Sequence, residues 1–188
     1  MKLFELLDSP LFDIKKIKGQ NTFGKSVWYG FTLPSNREVK VGFIESGEIP
    51  DINSLIDNYV GTDHSDYESI TQLIHKEKLY KHNINVQQIG FYTADTNGND
   101  SEEITGLGEA SLIFQGVVEC IRMNVEESNP DILIFASHET SRHRLYSAIT
   151  KRMMKENKDW KVLIIKGPAI FADSDVLFLC LNIESLKR

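Results

Sequence analysis

The chain of 188 residues has no run of 18 apolar residues, so no membrane-spanning helix is expected. It has no basic excess. With 21 Lys and Arg against 27 Asp and Glu, the net charge is −6, and general attraction to nucleic acid or to an anionic membrane is not expected. It has only two cysteines, Cys120 and Cys180, both inside apolar patterns. Two buried thiols in a reducing cytoplasm suit them better than a disulfide. No Cys or His spacing matches a zinc site, so no metal is expected. The first residues, Met1 to Asp8, carry acids within their apolar run and do not read as a secretion signal. No internal repeat, low-complexity tract or composition shift divides the chain, and a single domain over residues 1–188 is expected. One local absence stands out. Between Asp95 and Glu109 there are five acids and no Lys or Arg.

What is present is centred on residues 104–146. Ala110, Ile113, Phe114, Val117, Val118, Ile121 and Val125 recur at the helical period and form one apolar stripe. The spacing predicts a helix from Gly108 to Glu126, opened by the glycines at 106 and 108. Glu109 sits in its first turn, where a carboxylate suits the helix dipole. Asn129-Pro130 ends it, because the residue before proline disfavours helical geometry. Gly116 lies mid-helix, and close packing against a strand accounts for it. Ile132 to Ala136 is a continuous apolar run, the pattern of a strand covered on both faces. A second helix starts at Thr140 or Ser141, with Leu145, Ile149, Arg152 and Met153 on one face and Tyr146 one residue round from it. A stripe helix packed on that strand would bury Phe114, Val118 and Ile134 together.

The rest of the chain is read in the same way. Residues 1–9 have the pattern of a short helix. Val27 to Leu33 and Glu38 to Ile44, joined by Pro34-Ser35-Asn36, form a hairpin. Trp28 and Tyr29 read as strand core. Ile52 to Val60 is a helix capped by Asp51 or Asn53. Asp66 to Lys81 is a helix or, alternatively, part of a loosely structured insertion anchored by Tyr67 and Leu79. Val86 to Ala94 is a strand, Thr96 to Glu103 an exposed acidic loop, and Lys161–Lys166 and Val176–Leu181 are the last strands. The fold class is α/β, a mixed sheet with helices on both faces.

This order, with a glycine turn opening the long helix, resembles the GNAT acyltransferase fold. In that family the strand before the central helix splays from its neighbour. The N–H groups at the helix start bind the pyrophosphate of acetyl-coenzyme A. The family motif there is Gln or Arg, two residues, Gly, one residue, then Gly or Ala. Glu103-Ile104-Thr105-Gly106-Leu107-Gly108 keeps the glycines and departs at the first position. A shifted reading, with Gly108 and Ala110 as the small pair after Thr105, departs there too. The resemblance implies acetyl-coenzyme A as the acyl donor, held by Gly106, Leu107, Gly108, Glu109 and Ala110. It also implies a role for Tyr146, in the place of the family tyrosine that can protonate the departing thiolate.

A closer similarity is to uncharacterised bacteriophage proteins that look like divergent GNAT folds. They share T-G-x-G-x-A, here Thr105 to Ala110, a strand ending in F-x-A, and S-R-x-x-L-Y, here Ser141 to Tyr146. This implies a place in the host-cell cytoplasm or the virion. It also opens a non-enzymatic alternative, a virion component or a protein that binds a host protein.

The residues leave several site readings open. A glycine-flanked helix start is a ready anion site, yet the acids before it repel a polyanion unless they point away. From Ser141 to Lys161 seven Lys or Arg stand against two acids, a phosphate-binding face or a solvated one. Arg142 and Arg144 suit a phosphate or carboxylate, or ion pairs within the chain. His138 and His143 suit a base or proton relay, or a structural place by a helix cap.

Overall fold

The computed structural model describes residues 12–18, 25–94, 100–101, 109–137, 140–156, 158–167 and 176–187. The helix expected at residues 1–9 lies outside them. The first elements are strands β1 (Lys15–Lys18), β2 (Ser26–Thr32) and β3 (Glu38–Glu45). β2 and β3 form the expected antiparallel hairpin, and its turn holds Asn36 in the left-handed region at φ 65°. Next come β4 (Ile49–Asp51), α1 (Ile52–Tyr59), α2 (Tyr67–Glu77) and β5 (His82–Ile84). The cap of α1 is Asp51, whose carboxylate accepts from the Ser54 N–H at 2.8 Å. α2 stops at Glu77, short of the expected Lys81, because Lys78 turns left-handed at φ 57°. Then follow β6 (Val86–Ala94), β7 (Asp100–Ser101), α3 (Ala110–Ser128) and β8 (Ile132–Ser137). The chain continues through α4 (Thr140–Glu156), β9 (Trp160–Lys166), β10 (Val176–Asn182) and α5 (Ile183–Leu186).

The main sheet runs β1-β2-β3-β6-β8-β10-β9, with β7 paired to β6; β4 and β5 form a separate two-stranded sheet. Every pairing is antiparallel except β6 with β8. β6-α3-β8 is therefore a parallel unit with a helical crossover. β8-α4-β9 differs: the two strands run the same way, but β10 lies between them.

Each face of the sheet carries its own core. On one face, Ile113, Val117, Cys120 and Ile121 of α3 and Tyr146 and Ile149 of α4 pack on Tyr29, Phe31, Val41, Phe43, Phe91, Leu133, Phe135 and Phe178. On the other face, Leu55, Ile56, Ile70, Ile74 and Leu186 pack on Ile132, Ile134, Leu177, Leu179 and Leu181. The middle of the chain is thus no loose insertion, because α1 and α2 build the second core. Each such fully buried side chain contributes roughly 1.5–3 kcal/mol. At the edge of the second core, the buried Asp131 carboxylate accepts from Lys81 Nζ at 2.7 Å, from the Asn85 N–H at 2.7 Å and from the Ser185 hydroxyl. One side chain thereby joins the chain after α2, the start of β6 and α5.

The expected trio of Phe114, Val118 and Ile134 does not form. Side chains alternate across a strand, so Ile134 faces the second core while Leu133 and Phe135 face α3. Phe114 and Val118 are only half-buried, on the flank of α3. The covered face of α3 is Ile113, Gly116, Val117, Cys120, Ile121 and Asn124. Gly116 fits because the Phe31 ring of β2 occupies the space of its missing side chain. Asn124 is tolerated because its amide donates to Gln87 Oε1 at 2.6 Å. Tyr29 is core, but Trp28 lies half-buried on the opposite face, its ring over Gly42.

Candidate functional site

The sheet opens between β6 and β8. The two strands pair only from Val86–Ile89 to Ile132–Phe135. Past that point Ala136 and Ser137 of β8 are not paired with β6, while β6 stays paired to β3 as far as Ala94. β7 joins the vacated side only at Thr93 and Ala94. Over Gly90 to Tyr92, therefore, no strand pairs with β6 on that side among the described residues. Within the acidic stretch expected as a loop, Asp100–Ser101 forms a short strand paired antiparallel with β6. Residues 95–99 and 102–108 lie outside the description.

Side chains from three elements converge on the opening. Phe91 projects from β6, Phe135 from β8, and Tyr146 drops from the second turn of α4. The Tyr146 ring is 1% exposed. It sits edge-on to Phe91 at 5.8 Å and to Phe178 at 6.0 Å, and tilted on Phe135 at 5.0 Å. One turn earlier, Arg142 places its guanidinium 5.8 Å from the Phe91 ring centre, and His143 lies 5.6 Å from Phe178. Two residues along β6 on the same face, the Thr93 hydroxyl accepts from Arg37 at 2.9 Å. Two guanidiniums therefore reach the part of β6 beyond its pairing with β8. Arg144 faces away and is exposed.

Of the five residues expected to hold a cofactor, Glu109 and Ala110 are described; Gly106, Leu107 and Gly108, like His138, are outside the description. Ala110 is exposed at the first position of α3. Glu109 is 6% exposed, and both its oxygens are engaged by Ser35, from the N–H at 3.1 Å and the hydroxyl at 2.7 Å. Its carboxylate is thus turned from the helix start onto the β2–β3 turn. The first-turn charge expected to favour the helix dipole serves instead as a tie between two elements. The sequence holds no local signal for this, since Ser35 and Glu109 are far apart in the chain.

Neither cysteine suits nucleophilic chemistry. Burial pushes the Cys120 thiol up to about 12 and raises that of Cys180. Among the described residues, no group of three or more His, Cys, Asp or Glu is placed to hold a metal ion. Nor is any described helix long and apolar enough to cross a membrane. The residues missed by sequence reasoning are Arg37 and Thr93; they meet only through the β3–β6 register. Comparison of the chain with protein-family models, with curated proteins and with solved structures finds no match.

Proposed function

We propose that this chain is a GNAT-like protein of phage type whose opening between β6 and β8 takes acetyl-coenzyme A, for acyl transfer to an amine. The observation that carries the reading is the end of the β6–β8 pairing after four residues, while β6 runs on to Ala94 beside β3. A splayed strand offers backbone groups to the amides of an extended pantetheine arm, as an edge strand does to a peptide. Arg37 and Arg142 supply positive charge next to that strand. The turned-away carboxylate of Glu109 leaves the N–H groups of Ala110 and Ser111 as the described part of a pyrophosphate site. Tyr146 is the one described phenol at the base of the opening, where it would return a proton to the thiolate that leaves when the amine takes the acyl group.

The reading is tested by titration calorimetry with acetyl-coenzyme A. Saturable binding is expected, weakened roughly tenfold or more in Arg142→Ala through loss of a charge-assisted contact. Tyr146→Phe should bind as the parent does and lose turnover. Absence of heat at millimolar ligand would overturn the reading.

A second reading is a non-enzymatic virion component or host-binding protein on the same scaffold. The burial of Tyr146 among three aromatic rings favours it, because a general acid must reach the proton acceptor. Failure of coenzyme A to bind would leave this reading in place.

A further inference from the structure

At the end of the sheet opposite the candidate site, two recesses meet beside the last turns of α3 and α4. One, of about 120 Å³, is largely apolar and is lined by Val118, Ile121 and Val125 of α3, Met153 of α4 and Trp160 of β9. Arg122, which also borders it, is paired with Glu119 and Glu126. The other, of about 230 Å³, is polar and is lined by Asn129, Asp159, Asn182, Glu184 and Ser185. Val125 and Trp160 belong to both, so the recesses share a wall.

The polar recess has charge of one sign. Asp159 and Glu184 border it, and no Lys or Arg among the described residues does. Glu184 is paired with Lys187 at 3.2 Å, while the exposed Asp159 carboxylate has no partner among the described residues. α3 ends here, with Asn129 as its left-handed cap, and α4 ends at Glu156 on the border of the other recess. The last turn of each helix carries carbonyl groups without intrahelical partners and the negative end of the dipole. A cation is therefore favoured. Among the described residues no three acids, histidines or cysteines are placed to hold a metal ion, so the cation that suits the recess is organic. A quaternary ammonium needs an aromatic cage, and Trp160 is the one ring in the lining. A primary ammonium donates to carboxylates and amide oxygens, which are present.

The shared wall lacks a partner of the opposite kind. Trp160 is 4% exposed, and its indole N–H meets no acceptor among the described residues. Beside it in the ladder, the Asn182 side-chain oxygen accepts from the Ser185 N–H at 3.2 Å, and its amide N–H groups are unused. Buried donors are normally bonded, and an oxygen carried by a ligand would satisfy these.

We infer that this groove binds a small primary amine with three parts in a fixed order. The ammonium lies in the polar recess with Asp159 and Glu184, an acceptor oxygen lies at Trp160 and Asn182, and an apolar end lies between α3 and α4. The site is separate from the opening between β6 and β8, so it does not depend on acyl transfer there.

Phenylethanolamine carries the three parts in that order, and NMR titration of the full chain with it tests the inference. The chain has two tryptophans, Trp28 and Trp160, hence two indole N–H signals. Saturable movement of the Trp160 signal is expected, with Trp28 unmoved and a dissociation constant on the order of a millimolar. Phenylethylene glycol, which replaces the ammonium by a neutral hydroxyl, should bind roughly fivefold more weakly. Phenethylamine, which lacks the oxygen, should also bind roughly fivefold more weakly. Asp159→Asn combined with Glu184→Gln, both at exposed positions, should weaken the amine by roughly fivefold and leave the glycol unchanged. A Trp160 signal that does not move, equal binding of either analogue, or unchanged amine affinity in the double variant would overturn the inference.

Discussion

The two cores differ in kind. The one under α3 and α4 is built of rings, Tyr29, Phe31, Phe43, Phe91, Phe135, Tyr146, Trp160 and Phe178, with Gly116 and the Gln87–Asn124 pair fitted between. The one under α1, α2 and α5 is nearly all Ile and Leu, with Tyr59 at its margin. Aliphatic side chains fill a uniform layer between helix and sheet. Rings are larger and flat, and four of them, Phe91, Phe135, Tyr146 and Phe178, meet beside the end of the β6–β8 pairing. The difference separates a core that only stabilises from one that also shapes a site.

The sharpest way to break that comparison uses two neighbours on β10. Phe178 faces the ring core and Leu179 the aliphatic one. Phe178→Ala should cost about 3–5 kcal/mol and Leu179→Ala about 2–5 kcal/mol. Only the first should also disturb the surroundings of Tyr146, seen as a change in its aromatic NMR signals. Equal perturbation of Tyr146 by both would show that the cores are not separate. A smaller effect is expected at Gly116. Gly116→Ala brings a methyl into the Phe31 ring and should cost about 1–3 kcal/mol by overpacking. Adding Phe31→Leu should recover part of that loss in a denaturant titration, and strict additivity of the two costs would contradict the contact.

The mildest test is alkaline pH. Cys120, Cys180 and Tyr29 all belong to the ring core, and burial raises all three above their ordinary values of 9.0 and 10.0. For Tyr29 the hydrogen bond to Glu127 adds to the rise. A raised value in the folded state contributes stability that is complete below the unfolded value and is lost as pH climbs. Unfolding free energy should therefore be level up to about pH 9 and fall above it. Replacing both cysteines by alanine should flatten the first part of the decline, and an unchanged slope would assign it elsewhere.

Much of this fold is readable from local pattern. The runs that became β6, β8, β9 and β10 are apolar enough to identify, and α3 has a strong helical period. What is not local is less legible. An all-apolar run such as Ile132–Ala136 tells that both faces are covered, but not which helix covers which face. That is why Ile134 was expected beside Phe114. The spacing predicts Leu145, Ile149, Arg152 and Met153 as the face of α4; the buried residues are Tyr146, Ile149 and Thr150, because the ring of Tyr146 packs among Phe91, Phe135 and Phe178. β1 was missed because three lysines in four residues mask a strand held only by its partner β2. At the site, Tyr146 and Glu109 were legible as residues, but not the burial of one or the tie of the other to Ser35. Arg37 and Thr93 had no signal, since strand register alone brings them together.

The place of β10 has a consequence for synthesis. β8 is translated well before its neighbour β10, with α4 and β9 made in between. Until residues 176–182 leave the ribosome, the long apolar flank of β8 has no strand on that side, and β9 has nothing to pair with. At ordinary elongation rates this lasts on the order of a few seconds. A growing chain in that state is a natural client for chaperones that shield unpaired strands. Slowed translation between Ser137 and Val176 should therefore lower the yield of native protein more than slowing anywhere upstream.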